Sequence, residues 1–129
     1  MKLLVLAFCL LLVTPMAKAH EMIPTYPKLS TSFLDGLYTT TVTIFNKRPE
    51  VEYYEIGVFD EEFNPIPFVS SYNIYKIPYL STVSVEIYVR EKDRYEVTYI
   101  CSRSKLRKAD LKRTAISSKI CSKVKQLGE

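Results

Sequence analysis

The chain has 129 residues and a formal charge of +4, with 47% hydrophobic, 25% charged and 12% aromatic residues. That composition excludes a disordered or low-complexity chain, and one small domain accommodates the length. So mild a positive excess does not argue for a nucleic-acid binder; what matters is where the cations concentrate.

The chain opens Met1-Lys2, runs through an apolar stretch from Leu3 to Val13 and reaches Ala17-Lys18-Ala19. A short positive start, an apolar centre and an A-x-A site are the layout of a secretory signal peptide. The apolar run falls short of the ~20 helical residues that span a bilayer. We therefore expect a leader over residues 1–19 and one domain over residues 20–129, secreted or periplasmic after cleavage near Ala19. Cys9 leaves with the leader, and Cys101 and Cys121 remain. In an oxidising destination they pair, the alternative being two free, buried thiols. Closing a loop of about 20 residues contributes roughly 3 kcal/mol on the chain-entropy model.

From His20 to Pro27 the two prolines give an extended entry. Leu29 to Leu34 reads as a short strand, and Asp35-Gly36 as a turn. Leu37 to Asn46 follows as a strand, then the turn Asn46-Lys47-Arg48-Pro49. Val51 to Phe59 is the next strand, with Tyr54, Ile56 and Val58 on one face. Gly57 in its middle marks a bulge or a close approach. Asp60 to Pro65 is a polar hairpin turn. Ile66 to Val69 and Tyr72 to Ile77 are short strands. Thr82 to Val89 alternates, with Val83, Val85, Ile87 and Val89 on one face. Glu91-Lys92-Asp93 turns into a strand from Arg94 to Cys101, with Tyr95, Val97 and Tyr99 sharing a face. A basic loop, Ser102 to Arg113, leads to a last strand running roughly from Thr114 to Val124. Lys105 to Lys112 holds at most one helical turn. About seven short strands with a turn every 8 to 12 residues make an all-β, antiparallel sandwich.

The cysteines conflict with this alternation. Cys101 shares parity with Tyr95, Val97 and Tyr99, whereas Cys121 lies opposite to Ile116, Ile120 and Val124. A bridge between adjacent strands needs both Cβ atoms on one side. Either a bulge lies near one cysteine, or Ile116, Ile120 and Val124 face away from the core.

The inventory for catalysis is thin. The one histidine, His20, becomes the mature amino terminus, and no Gly-rich phosphate loop exists. A copper site on an amino-terminal histidine would need a second imidazole to complete its shell. No cofactor or metal is expected, and the chain reads as a non-enzyme. The loop cations Arg103, Lys105, Arg107, Lys108, Lys112 and Arg113, against Asp110 alone, could meet an anionic surface such as lipid headgroups. No aromatic residue interleaves them, which counts against single-stranded nucleic acid.

Ile23-Pro24-Thr25, Val42-Thr43-Ile44-Phe45-Asn46, Tyr53 to Phe59, Val83 to Val89 and the paired late strands together resemble the first domain of the PapD-like periplasmic pilus-assembly chaperones. The resemblance implies a single immunoglobulin-like sandwich and partner capture by strand addition. It also implies a partner-binding last strand, in which Ile116, Ile120 and Val124 point outward and Lys119 or Lys123 assists. The expected partner is an extended protein segment or subunit. The second reading is a surface or virion module that holds an anionic envelope through its basic loop.

Overall fold

The computed structural model describes residues 19–126, so the expected leader lies outside the described residues. Two antiparallel sheets pack face to face. In the first, β1 (Glu21–Ile23) and β2 (Ser30–Thr31) both pair with β3 (Leu37–Phe45); β3 pairs along its length with β7 (Thr82–Arg90), and β5 (Phe68–Val69) closes the far side. In the second, β6 (Ile74–Lys76), β4 (Tyr53–Phe59), β8 (Tyr99–Lys105) and β9 (Lys119–Lys123) follow in that order, which puts β9 at an edge. The two helical segments among the described residues are single 3-10 turns, Glu91–Asp93 and Asp110–Lys112. No helix among the described residues is long and apolar enough to cross a membrane.

Period-two alternation builds the core. Val42 and Ile44 of β3, Val85, Ile87 and Val89 of β7, Tyr54, Ile56 and Val58 of β4, and Ile100 of β8 are buried between the sheets. Each such side chain contributes on the order of 1.5–3 kcal/mol of burial. Asn46, fully buried at the end of β3, ties the layers together. Its side-chain amide donates to the carbonyls of Val51 (2.7 Å) and Ile77 (2.8 Å), and its Oδ1 accepts from the Tyr54 hydroxyl (2.6 Å). Burial pushes the Tyr54 hydroxyl up to about 12. Gly36 takes φ +79° in the turn before β3, where a side chain would be strained. Gly57 is a close approach without a bulge: the register is continuous, and a Cβ there would lie 2.7 Å from the Phe59 ring.

The late strands differ from the expectation. The strand predicted from Arg94 starts at Tyr99. Residues 91–96 instead make local bonds: Arg94 N–H to the Glu91 carbonyl, Glu96 N–H to the Asp93 carbonyl, and an Arg90–Asp93 ion pair at 2.7 Å. The Arg94 guanidinium also lies over the Tyr38 and Tyr95 rings, 4.7 and 4.4 Å from their centres. These contacts satisfy the backbone without a ladder, so the parity counted from Arg94 does not carry into β8. In β8, Ile100, Ser102 and Ser104 face inward, and Tyr99, Cys101 and Arg103 take the opposite face, where Cys101 is itself covered. In β9 and just beyond it, Ile120, Ser122 and Val124 face inward and Lys119, Cys121 and Lys123 outward. Both cysteines therefore share the outer face with no bulge. The expected outward row is corrected: Val124 is core, Ile120 packs half-buried against it, and Ile116 lies before the strand, 61% exposed.

Candidate functional site

The site is assembled on β8 and β9. Cys101 pairs directly with Cys121 across the ladder, and their sulfurs form a disulfide with the Cα atoms 4.1 Å apart. The pairing register makes Ser104–Ser118 and Thr98–Val124 hydrogen-bonded partners, through Ser104 N–H to the Ser118 carbonyl (2.9 Å) and Val124 N–H to the Thr98 carbonyl (2.8 Å). Alternation along β9 then turns the backbone N–H and C=O of Lys119, Cys121 and Lys123 away from β8. Beyond Lys123 the edge is covered, because Lys125 N–H donates to the Pro27 carbonyl at 2.8 Å. Among the described residues no strand lies outside Lys119–Lys123. This edge of the sheet is unpaired among the described residues, with β1 of the other sheet close by, and a cystine holds it in place.

The outer face beside this edge carries aromatic rings and cations. Phe63 adopts φ +62°, an uncommon conformation for a bulky residue that costs about 1–2 kcal/mol. The Asp60 carboxylate offsets that strain by accepting from the Glu62 and Asn64 N–H groups, at 3.0 and 2.8 Å. The conformation brings the Phe63 ring flat onto Tyr99, with 4.5 Å between centres and 5° between planes. Lys119 Nζ sits 5.3 Å from the Phe59 centroid and 5.4 Å from that of Phe63. A shallow cavity of about 270 Å³ opens beside it, lined by Gly57, Phe59, Cys101, Arg103, Glu55 and Lys119. Arg103 (3.0 Å) and Lys105 (3.1 Å) both pair with Glu55 and hold its carboxyl below the usual range.

Inside the sandwich, under the start of β9, lies a polar cluster that the sequence reading missed. Arg48, 2% exposed, uses every N–H it has. Nε donates to Glu50 (2.8 Å), Nη1 to the hydroxyls of Ser104 (3.4 Å) and Ser118 (3.3 Å), and Nη2 to the Thr114 hydroxyl (3.4 Å) and the Ile116 carbonyl (2.7 Å). His20 is equally buried. Its Nε2–H points to the carbonyl (3.2 Å) and hydroxyl (2.8 Å) of Ser102, and its Nδ1 accepts from the Ser118 hydroxyl (2.8 Å). Burial lowers the imidazole to about 4; the Ser102 carbonyl opposes this and the Arg48 charge adds to it. The cluster pins residues 114–118 to the body and so aims β9. A signal did exist in the sequence: Ser102, Ser104, Ser118 and Ser122 fall on the inward parity of their strands, where polar groups need buried partners.

The six cations of the expected basic loop do not form one patch. Arg103 and Lys105 belong to β8 and pair with Glu55. Arg107 pairs with Asp110, raising its own guanidinium and holding the Asp110 carboxyl low, and it stacks on Tyr53. Lys108, Lys112 and Arg113 stay at the loop tip with no carboxylate in pairing distance among the described residues, beside exposed Leu111. No group of three or more metal-binding side chains occurs among the described residues, and His20 is committed to serines.

No family model matches the chain, and no curated protein matches it in sequence. Solved structures do match in fold. The E. coli chaperone DraB superposes with a TM-score of 0.60 at 16% identity, over 82% of this chain and 53% of that one. The periplasmic chaperone SfaE gives 0.52 at 11% identity, over 85% and 58%. PapD-like domain 7 of human CEP192 gives 0.51 at 12% identity, over 88% and 90%. The chain thus spans somewhat over half the length of the two chaperones and nearly all of the CEP192 domain. The fold is the immunoglobulin-like sandwich of PapD-like domains.

Proposed function

We propose that this chain is an exported, non-enzymatic β-sandwich module that captures an extended segment of a partner protein on the β9 edge, in a chaperone-like manner. The observation that supports the reading is the backbone of Lys119, Cys121 and Lys123, unpaired on its outer side among the described residues and fixed by the disulfide behind it. The partner strand gains main-chain hydrogen bonds there, and the cystine keeps the template from fraying. The mode differs from the one the resemblance implies, because the apolar residues Ile120 and Val124 stay in this chain's own core.

The test uses Lys123→Pro. Proline removes one outward N–H and no ladder bond, a position where a strand tolerates it. Material captured from the exporting compartment by the processed protein should be lost with Lys123→Pro while the thermal midpoint moves only a few degrees. Capture that survives a folded Lys123→Pro protein would end the edge reading.

A second reading rests on Lys108, Lys112, Arg113 and exposed Leu111 at the loop tip. Three cations beside an apolar side chain suit an anionic bilayer surface, at about 1 kcal/mol per cation. Replacing the three cations with Ser should abolish binding to phosphatidylserine-containing vesicles at low salt; unchanged binding refutes this reading.

A further inference from the structure

Resting on the β9-edge reading, we infer that the captured segment is acidic: it carries carboxylate side chains four residues apart, facing Lys119 and Lys123. Three observations lead there. First, Lys119, Cys121 and Lys123 point to one face, and a strand added to β9 places its own side chains directly opposite them. Second, neither lysine has a carboxylate in pairing distance among the described residues. Lys119 rests over the Phe59 and Phe63 rings, while Glu55, the carboxylate on the same face, is already shared by Arg103 and Lys105. The face beside the edge therefore has uncompensated positive charge. Third, a second copy of this chain is a poor occupant. Antiparallel self-pairing centred on Cys121 would set Lys119 against the other copy's Lys123, and like charges directly opposite destabilise a sheet pair. Edge lysines of this kind block self-association, and the same lysines select a partner of opposite charge.

The position opposite Cys121 faces a residue whose sulfur is turned back to Cys101, so Cys121 offers it no charge. The pattern sought is thus two acidic residues separated by three others. The carboxylates are side chains within the segment, so a free chain end is not required.

The probe is an end-blocked nine-residue peptide with Glu at positions 3 and 7, Ala at position 5 and Thr or Val elsewhere, titrated into ¹⁵N-labelled processed protein. Counterparts carry Lys or Ser at positions 3 and 7. The Glu peptide should shift the amides of residues 119–123 and bind about ten-fold tighter than the Lys peptide, the scale expected of two cross-strand charge pairs. In 1 M salt the difference should shrink, and a Lys119→Glu/Lys123→Glu protein should prefer the Lys peptide. If all three peptides bind equally and shift residues 119–123, the charge inference is overturned while the edge reading stands. If no peptide shifts those amides, both fall.

Discussion

Replacing Arg48 with Met asks whether the buried guanidinium holds the edge strand in place. A buried cation often adds nothing net, because its desolvation offsets its bonds. The partners of Arg48 allow the cost to be apportioned. Ser118 Oγ keeps its contact with His20, and Ser104 Oγ still accepts from the Ser118 N–H at 2.8 Å. Those hydroxyls are not orphaned when the guanidinium goes. The losses fall on Glu50 at 2.8 Å and the Ile116 carbonyl at 2.7 Å, the two short contacts. Hydrogen bonds to charged groups contribute about 1.5–3 kcal/mol each, and both acceptors lie where water can reach them after the change. We expect a net loss of about 2–3 kcal/mol for Arg48→Met, or a midpoint lower by roughly 10 °C in a domain of this size.

The loss should also be local. Ser118 N–H, bonded to Ser104 Oγ, should exchange with solvent markedly faster in Arg48→Met while the amides of β3 and β7 change only with global stability. Calorimetry and native-state hydrogen exchange on the purified protein read both quantities. A midpoint within 2 °C of wild type, with Ser118 protection intact, would refute the claim that this cluster aims β9.

Cys121→Ser should cost roughly 3 kcal/mol, the chain-entropy value for a bridge across about 20 residues, and non-reducing mass analysis of wild type should find no alkylatable thiol at Cys101 or Cys121. Ile120→Ala should destabilise by about 1–2 kcal/mol in denaturant unfolding, the low end for core truncation because the side chain is half-buried; no loss would return this residue to the outer face. His20 sets a pH dependence. Its folded value of about 4 lies below the ordinary 6.5, so the stabilisation is fully present above pH 6.5 and is lost as pH falls from there through about 4. The amplitude is at most about 3 kcal/mol, and His20→Asn should flatten that part of the curve.

The sandwich was legible in the sequence because period two survives wherever strands are long. β4 buries Tyr54, Ile56 and Val58 as read, and β7 buries Val85, Ile87 and Val89 with Val83 half-buried on the same face. The failure came at Arg94–Thr98, where turn bonds and two ring contacts of one arginine replace a ladder that the alternation of Tyr95, Val97 and Tyr99 imitates. Three residues of turn are enough to uncouple parity, and the error passed to every inference about which way Ile120 points. The cysteines marked the conflict, since two neighbours on paired strands must share a face; the break at Arg94–Thr98 resolves it with neither a bulge nor an outward Ile120. Arg48 carried no such signal. In the sequence it is a charged residue beside Pro49 in a turn, and apart from Glu50 its side-chain acceptors come from segments 56 to 70 residues away.

That the outward positions of β9 are Lys, Cys and Lys has an energetic consequence for capture. A strand laid along five residues gains only a few main-chain hydrogen bonds, each contributing about 0.5–1.5 kcal/mol net. Association costs an estimated 4–15 kcal/mol in lost freedom. Backbone pairing alone therefore does not hold a partner, and this edge does not offer the apolar row that would supply the remainder, because Ile120 and Val124 are spent on the chain's own core. The difference has to come from the outer face, where Lys119 and Lys123 offer charge and exposed Phe63, with half-buried Phe59 and Tyr99, offers ring surface. Capture by this module should consequently be weaker and more salt-dependent than capture through a buried apolar row, and it should release its segment readily as ionic strength rises.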